Sequence, residues 1–428
     1  MNLIAGNIVD RQNSLDALKR LKETTSETLQ NCSLSPDIVL QACDALSAAL
    51  NERTHLPLLL SSGIREDDAR TRLKQARLLL SAAYLKEKMR RELGPDWGKP
   101  VSFTPIDRSL PVTERAMPIG VLLHIAAGNM DGLPVYTVIE GLLTGNINLL
   151  KLPTTDDGVS LELLRMLVEI EPALSGYVYV FDYASEEVHL IRKLVDASDA
   201  IVVWGADAAV SAVRRLASPH IRLIEWGNKL SFAYVTQGGM NAENLHGLAK
   251  HICATNQLLC NSCQVIYLDT EDERQAISFC RGFLSILEEE GTTVPLSLPI
   301  ELQAQLTLQL KSETLCASSE GKRVFMGEGA SVIYCADDSL SPSIMFRNCL
   351  IKRLPREDLL PRLRSSKGLL QTAGLLCGAD EKEELTELLF RAGVVRVTTG
   401  EAMSEGYCGE PHDGERSLQR YIRIVSLS

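Results

Sequence analysis

Two cysteines stand three positions apart in the stretch NQLLCNSCQVIYLD, residues 256–269. Cys260 and Cys263 lie in a short polar turn that runs directly into an apolar, strand-like segment. Such a pair could supply a thiol nucleophile, half of a zinc site, a redox couple, or small side chains that fill a core. A zinc module needs a second close ligand pair, and a thioredoxin-like pair opens a helix after a strand. His251 and Cys253 with the pair give a spacing that fits no common zinc module, so no metal site is expected. A strand rather than a helix follows the pair, which disfavours the redox function.

The segments around this turn alternate between short apolar runs and helical patterns. Strand-like runs include IGVLLHIAA, NINLLKL, GYVYVFDY, AIVVWGAD and IRLIEWG, and a second series starts at KLSFAYV. Alternating strands and helices predict parallel sheets covered by helices on both faces. Ligands of such sheets bind beyond the carboxyl ends of the strands. Several polar or glycine residues fall at those ends: Gly128, Asn129, Lys151, Gly205 and Glu225.

The two ends of the chain differ from this middle part. Residues 1 to about 95 are predicted to be mostly helical, with REDDARTRLKQARLLLSAAYLKEKMRREL as one long amphipathic helix. The closing stretch GEPHDGERSLQRYIRIVSLS ends in an alternating pattern that suits an edge strand. No G-x-G-x-x-G opens a helix, so a nucleotide would have to be held without the usual Rossmann fingerprint.

Length and composition limit the classes of function. A chain of 428 residues suits two or three domains, and the net charge of −11 argues against a nucleic-acid or anionic membrane surface. Eleven cysteines, an odd number, mostly stand in apolar surroundings, so a disulfide framework is not expected. The chain also lacks a signal-peptide pattern and any run of 18 apolar residues, which predicts a cytoplasmic protein without a membrane span.

Four segments carry a resemblance to a known family. They are RAMPIGVLLHIAAGNMDGLPVYTVIEGLLTGNINLLKLPTTDD, IVVWGADAAVSAVRRLASPHIRLIEWGNKLSFAYV, NQLLCNSCQ and PHDGERSLQRYIRIV. In this order and spacing they resemble the acyl-CoA reductases of bacterial luciferase operons, which belong to the aldehyde dehydrogenase superfamily. The resemblance implies reduction of a fatty acyl thioester to the aldehyde with NADPH. The acyl group would come from acyl-CoA or from a partner enzyme of the acyl-protein synthetase type.

The resemblance also implies an architecture. The expected fold is α/β and aldehyde dehydrogenase-like, with two α/β domains, an N-terminal helical region and an oligomerising β-arm. The expected parts are a helical part of the cofactor domain, the dinucleotide-binding domain, the catalytic cysteine domain and the arm, at residues 1–105, 119–235, 236–405, and 106–118 with 406–428. An exposed strand in the arm needs a partner to cover its edge, which favours a homodimer or homotetramer.

Residue roles follow from the same resemblance. Cys260 matches the acylated nucleophile, and Asn129 matches the asparagine that forms the oxyanion hole with the cysteine amide. Lys151 matches the lysine that contacts the adenosine ribose. Glu225 occupies the place of the catalytic glutamate of aldehyde dehydrogenases. The remaining cofactor contacts are expected at Trp204, Gly205 and Gly227.

This chain departs from the family pattern at several positions. The nucleophile motif reads C-N-S-C-Q where the luciferase-type reductases typically have C-S-S-P-Q, and the segment IMFRNCLIKRLP has no counterpart of E-x-F-G-P. Cys263 could be a resolving thiol or a neighbour without a chemical role. His412 could activate Cys260, or it could be a structural histidine satisfied by Asp413. The alternative functions are an NAD(P)-dependent aldehyde dehydrogenase, in which Glu225 activates water, and a non-catalytic scaffold of the same fold.

Overall fold

The computed structural model describes residues 1–31, 33–61, 66–126, 132–154, 156, 158–317 and 319–428. The chain forms two compact units, Met1–Gly227 together with Tyr407–Ser428, and Asn228–Gly406. The boundary expected at residue 235 differs from this division by one strand, Leu230–Val235, which belongs to the second unit. Within the described ranges, no helix has the length and apolar character needed to cross a bilayer.

The first unit begins with a hairpin and a set of helices, followed by strands and helices in alternation. The first part comprises β1 Asn2–Ile4, β2 Asn7–Val9, α1 Arg11–Asn31, α2 Pro36–Ala49, α3 Glu52–Ser61, α4 Glu66–Leu80, α5 Ala82–Leu93, β3 Val101–Phe103 and β4 Val112–Pro118. The second part comprises β5 Val121–Ile125, α6 Leu133–Leu143, β6 Ile147–Lys151, α7 Val159–Ile170, β7 Val178–Phe181, α8 Val188–Asp196, β8 Ala200–Trp204, α9 Asp207–Leu216 and β9 Arg222–Trp226.

Seven strands of this unit form one sheet in the order β2-β1-β7-β6-β5-β8-β9. The five strands from β7 to β9 are parallel, and β1 joins β7 in the antiparallel direction. Strands β5 to β8 are buried almost throughout, as expected for a parallel sheet with both faces covered. Their carboxyl ends lie at one edge, where Lys151, Trp204 and Trp226 are the last residues of β6, β8 and β9.

The second unit repeats the alternation around a second sheet. Its elements are β10 Leu230–Val235, α10 Ala242–Thr255, β11 Cys263–Leu268, α11 Glu273–Thr293, α12 Ile300–Cys316, β12 Lys322–Met326, β13 Ser331–Cys335, β14 Asn348–Arg353, α13 Arg356–Arg364, β15 Leu370–Leu376, α14 Lys382–Ala392 and β16 Arg396–Thr398. The strand order is β12-β13-β14-β11-β10-β15-β16, parallel except for β12. The prediction of parallel α/β sheets is therefore confirmed.

The C-terminal segment returns to the first unit as α15 Ser417–Arg420 and β17 Ile422–Leu427. Strand β17 pairs antiparallel with β4, and β3 lines the other side of β4. The two segments expected to form an arm thus share one three-stranded sheet. Its outer residues Phe103, Ile424 and Leu427 are exposed in the single chain. Oligomerisation through this sheet stays a prediction.

Two local features of the N-terminal region differ from the sequence expectation. Strands β1 and β2 add to the sheet in a region expected to be mostly helical, because strands of three residues leave almost no periodic signal. The expected long helix is interrupted at Ser81. The hydroxyl of Ser81 caps α5 by accepting from the Tyr84 N–H, and Asp44 accepts from the Ala82 N–H. These contacts end one helix and start the next.

Candidate active site

Cys260 lies in the cysteine turn, residues 256–262, which joins α10 to β11 in the second unit. The Cys260 residue is half-buried, whereas Cys263 at the start of β11 is 1% exposed. Leu258 and Leu259, directly before Cys260, are 48% and 38% exposed. The turn therefore combines an accessible thiol with apolar side chains that are not part of the core.

Hydrogen bonds fix the backbone on both sides of the thiol. The Cys260 carbonyl accepts from the Ser231 hydroxyl at 2.8 Å, and that hydroxyl accepts from the Thr372 N–H at 3.0 Å. Within the turn, the Leu259 N–H donates to the Ser262 hydroxyl at 3.1 Å, and the Ser262 N–H donates to the Leu259 carbonyl at 2.9 Å. Since Ser231 and Thr372 belong to β10 and β15, the nucleophile is tied to the central strands of its sheet.

The upstream part of the turn has an uncommon backbone conformation. Asn256 and Gln257 have φ values of 47° and 62°, in the left-handed region. Asparagine adopts this region readily and here ends α10, whereas the same conformation costs Gln257 roughly 1–2 kcal/mol, so surrounding contacts must hold Gln257. The Gln257 side-chain amide donates to the Cys263 carbonyl at 2.9 Å, and the Gln264 amide donates to the Gln257 carbonyl at 2.8 Å. These amides connect both ends of the turn.

Cys263 and His251 are structural neighbours of the nucleophile. Burial raises the pKa of the Cys263 thiol to about 12, so it stays protonated at neutral pH and is a poor nucleophile or metal ligand. Burial lowers the pKa of His251 to about 4, which keeps the imidazole neutral. Its Nε2 accepts from the Cys263 N–H at 3.3 Å, and Nδ1 lies 3.2 Å from the Ser404 hydroxyl. His251 thus orients the strand end rather than acting as a base.

In the first unit, Lys151 lies at the carboxyl end of β6, as the sequence predicted. Its ammonium donates to the Ser185 hydroxyl at 3.0 Å, and the residue is 4% exposed. Burial lowers the pKa of Lys151, which the nearby carboxylates of Glu186 and Asp182 partly offset. A lysine at this sheet edge can donate to a ribose hydroxyl or phosphate oxygen.

Three aromatic side chains cluster at the ends of β8 and β9. The rings of Trp204 and Trp226 stack at 5.3 Å, and the His412 ring lies 5.0 and 5.2 Å from them. Among the described residues, neither buried indole N–H has a hydrogen-bond partner. Buried donors without partners are uncommon, so a polar ligand at this edge would satisfy them. The residues present therefore fit a cofactor that offers polar acceptor atoms at this edge. The Asp413 carboxylate lies 3.7 Å from Nε2 of the His412 imidazole.

Gly205 and Gly227 follow the same two strands. The Gly205 N–H donates to the Trp226 carbonyl at 3.2 Å, and its φ is 156°. A side chain on Gly205 would meet the Ala209 methyl group of α9 at 3.3 Å. Gly227 has open space where a side chain would stand. The backbone at this edge is thus accessible to a ligand.

Glu225 in β9 is held by Arg214 of α9. The guanidinium donates through Nε and Nη2 to both carboxylate oxygens, and this pair raises the pKa of Arg214. Both oxygens of the Glu225 carboxylate are therefore occupied by one guanidinium. Arg214 was not singled out from the sequence, because nothing in a helix position identifies its partner 11 residues later. Asn129, the predicted oxyanion residue, and Gly128 lie outside the described residues.

Solved structures with the same fold are dehydrogenases. The glyceraldehyde-3-phosphate dehydrogenase GapN of Methanocaldococcus jannaschii, complexed with NADP, matches with a TM-score of 0.71 and 14% identity, over 98% of this chain and 95% of that chain. Aldehyde dehydrogenase 21 of Physcomitrella patens, in complex with succinate, matches with a TM-score of 0.72 and 13% identity, over 98% and 90%. The aldehyde dehydrogenase-like fold class is thereby confirmed.

Two curated relatives share sequence similarity. The long-chain acyl-protein thioester reductase of Aliivibrio fischeri is 22% identical over 365 residues, which cover 82% of this chain and 72% of the relative. That of Vibrio harveyi is 29% identical over 319 residues, 73% of this chain and 65% of the relative. The family profile described as Acyl-CoA reductase (LuxC) matches residues 13–424. With its sequence matched almost from end to end, the chain belongs to the acyl-CoA reductase (LuxC) family.

Proposed function

We propose that this protein reduces a long-chain acyl thioester to the aldehyde with NADPH, through a thioester formed on Cys260. The observation that carries the proposal is the contrast within the cysteine turn: Cys260 is accessible and held by its backbone, whereas Cys263 is buried and protonated. The names of the relatives, long-chain acyl-protein thioester reductases, support the substrate class. The exposed Leu258 and Leu259 offer apolar surface to a fatty chain beside the thiol.

The first step is acyl transfer to the protein. The Cys260 thiolate attacks the thioester carbonyl, a bond forms between Sγ and the acyl carbon, and the bond to the donor sulfur breaks. The donor leaves as a thiolate, which takes up a proton. We expect the donor to be acyl-CoA or an acyl group carried by an enzyme of the acyl-protein synthetase type.

The second step is reduction of the Cys260 thioester. When bound, NADPH supplies the hydride that reduces the acyl carbon. The amide side chain of Asn129 and the Cys260 N–H would stabilise the oxyanion that develops on the acyl oxygen. When the carbon–sulfur bond breaks, the aldehyde is released and Cys260 regains its thiolate. Lys151 would hold the cofactor together with the indole N–H groups of Trp204 and Trp226, which have no partner among the described residues. The open space at Gly227 leaves room for it.

The state of Glu225 favours reduction over the alternative of aldehyde oxidation to an acid. Hydrolysis of the acyl-cysteine needs a base that removes a proton from water. The carboxylate of Glu225, the candidate for that role, is engaged by Arg214 through both oxygens. A carboxylate held in this way must leave Arg214 before it can take a proton from water.

Product analysis separates these functions. With long-chain acyl-CoA and NADPH, we expect aldehyde, free CoA and NADP⁺ in equal amounts. In the reverse direction, with aldehyde and NADP⁺, rapid turnover should require CoA. Rapid formation of the acid without CoA would instead establish an aldehyde dehydrogenase. Failure to bind NADPH together with failure of Cys260 to become labelled by an acyl-CoA would support the non-catalytic scaffold.

The assembly and location of the protein also stay proposals. We expect a homodimer or homotetramer whose contacts include the sheet of β17, β4 and β3, because its outer apolar side chains are exposed in the single chain. A cytoplasmic location fits the eleven cysteines, which a reducing compartment would keep as thiols. Sedimentation that gives a tight monomer at working concentration would refute the assembly.

A further inference from the structure

A second segment of left-handed backbone packs against the cysteine turn. Met345, Phe346 and Arg347, directly before β14, have φ values of 61°, 50° and 67°. Three consecutive non-glycine residues in this region are rare, and strain of this kind persists only where neighbouring contacts enforce it. The Phe346 N–H donates to the carbonyl of Asn256 at 2.9 Å, so this segment touches the other left-handed site. A backbone hydrogen bond thus joins the two left-handed segments.

Arg347 is the main link between them. Although it carries a positive charge, the residue is only 3% exposed. Its Nε donates to the side-chain oxygen of Asn256 at 3.1 Å, and Nη2 donates to the carbonyls of Cys253 and Val294 at 3.2 and 2.6 Å. Cys253 lies in the last turn of α10 and Val294 caps α11. Helix carboxyl ends carry partial negative charge and carbonyls without helical partners, which accounts for the burial of a guanidinium here.

A neutral hydrogen-bond chain reinforces the same contact. The carboxamide oxygen of Gln264 accepts from the Ser343 N–H and hydroxyl at 3.1 and 2.9 Å, and its amide donates to the Gln257 carbonyl. The Asn348 amide donates to the Met345 and Phe346 carbonyls. The segment before β14 is therefore connected by hydrogen bonds to both Asn256 and Gln257, the first two residues of the cysteine turn.

We infer that Arg347 is a positioning residue for Cys260: its guanidinium holds Asn256 in the left-handed conformation and so fixes the direction in which the turn presents the thiol. This role rests on the proposed function of Cys260 as nucleophile. Arg347 does not itself touch the reacting atoms. It acts through Asn256, four residues before Cys260, and through the end of α10, which precedes Asn256. Without the guanidinium the backbone of the cysteine turn is less constrained. The Cys260 thiol then spends less time in the orientation in which it reacts.

Alkylation of Cys260 by iodoacetamide tests this role without any acyl substrate. The rate is followed by mass spectrometry of the peptide that contains Cys260, well below the melting temperature of each variant. Arg347→Met should lower the rate about tenfold, and Arg347→Lys, which keeps the charge but has one nitrogen, should recover part of it. The matched control is Arg356→Met in the same unit, which removes ion pairs to Asp269 and Glu381. It should lower the melting temperature but leave the rate unchanged.

Two variants of Asn256 keep the test decisive if Arg347→Met fails to fold. Asn256→Gly relaxes the left-handed backbone but removes the oxygen that Arg347 contacts, so the rate should fall several-fold. Asn256→Asp retains an acceptor for the guanidinium and should lose less than Asn256→Gly. Equal rates in the wild type, Asn256→Gly and Arg347→Met would overturn the inference and leave Arg347 with a role in stability alone.

Steady-state kinetics provide a second readout. If Arg347 positions the nucleophile, Arg347→Met should lower kcat for acyl-CoA reduction with little change in the KM for NADPH. A rise in the KM for NADPH with unchanged kcat would contradict the inference. If the wild type reduces no acyl-CoA at all, the proposed function fails, whereas the alkylation rates still decide whether Arg347 positions the thiol.

Discussion

The cysteine turn of the second unit and the strand ends of the first unit hold their candidate residues in different ways. Backbone, hydroxyl and amide groups and the neutral His251 fix the turn, with the buried guanidinium of Arg347 at its start. The strand ends instead carry Lys151, the Glu225–Arg214 ion pair and two indole donors that have no partner in the described part of the chain. A nucleophile needs a fixed geometry, whereas a site for a charged cofactor needs charges and donors that a ligand can engage. The contrast predicts that changes in the two regions affect different quantities.

The largest effect that bears on this contrast is expected at Asn129. Asn129 belongs to the first unit, but its predicted role is to donate to the oxyanion. Asn129→Ala should therefore lower kcat about a hundredfold, or about 3 kcal/mol in transition-state stabilisation, and leave NADPH binding intact. Stopped-flow measurement of NADPH oxidation, with a fluorescence titration of NADPH, checks both quantities. A variant with normal kcat would remove Asn129 from the oxyanion hole.

The next effect is a loss of folding stability at low pH, caused by protonation of His251 beside the cysteine turn. Burial lowers the folded-state pKa of His251 to about 4, from an ordinary value near 6.5. The unfolded chain therefore binds a proton between these values that the folded chain does not. The stability linked to His251 is present above pH 6.5 and is lost as the pH falls towards 4. Two and a half pKa units correspond to an upper limit of about 3 kcal/mol, of which roughly 2.5 kcal/mol is lost at pH 4.5.

Urea unfolding followed by circular dichroism at pH 7 and pH 4.5 measures this loss. The His251→Gln variant, whose amide oxygen can accept from the Cys263 N–H, should lose less stability on acidification than the wild type. The control is His220→Gln, since His220 is exposed in the first unit. His124 is also buried with its pKa lowered to about 4, so part of the acid sensitivity should remain in both variants. Identical pH profiles for the wild type and His251→Gln would show that His251 does not have to stay neutral.

The smallest effect is expected at the strand ends. Lys151→Met should raise the KM and Kd for NADPH about tenfold with kcat almost unchanged, because a charged hydrogen bond is worth about 1.5 kcal/mol. The matched control is Lys193→Met, which removes an exposed lysine of α8 in the same unit. If Lys151→Met lowers kcat and spares NADPH affinity, the division of roles between the two regions is wrong.

Local patterns predicted much of the fold. The apolar runs of β5, β6 and β8 predicted buried parallel strands. Lys151 lies at the end of β6, where it was expected. The cysteine turn was also recognisable, because small polar residues interrupt the chain between a helix pattern and an apolar strand. These features depend on neighbouring residues, which a sequence displays directly.

Features that depend on distant partners could not be predicted. Arg347 lies 91 positions from Asn256, and nothing around it in the sequence indicates that its charge is buried between two helix ends. The ion pair between Glu225 and Arg214 could not be predicted from the sequence either, because any exposed arginine of α9 would give the same pattern. The difference in burial between Cys260 and Cys263 likewise depends on tertiary structure. Two thiols in one motif are distinguished only when β11 carries the second into the core.

Mass spectrometry of the intact protein after incubation with a series of acyl-CoAs tests the central claim most directly. The wild type and Cys263→Ser should each gain one acyl group, mapped to Cys260, and should lose it as aldehyde when NADPH is added. Cys260→Ala should gain none. An acyl group on Cys263, or a Cys260→Ala variant that is still acylated and active, would contradict the account.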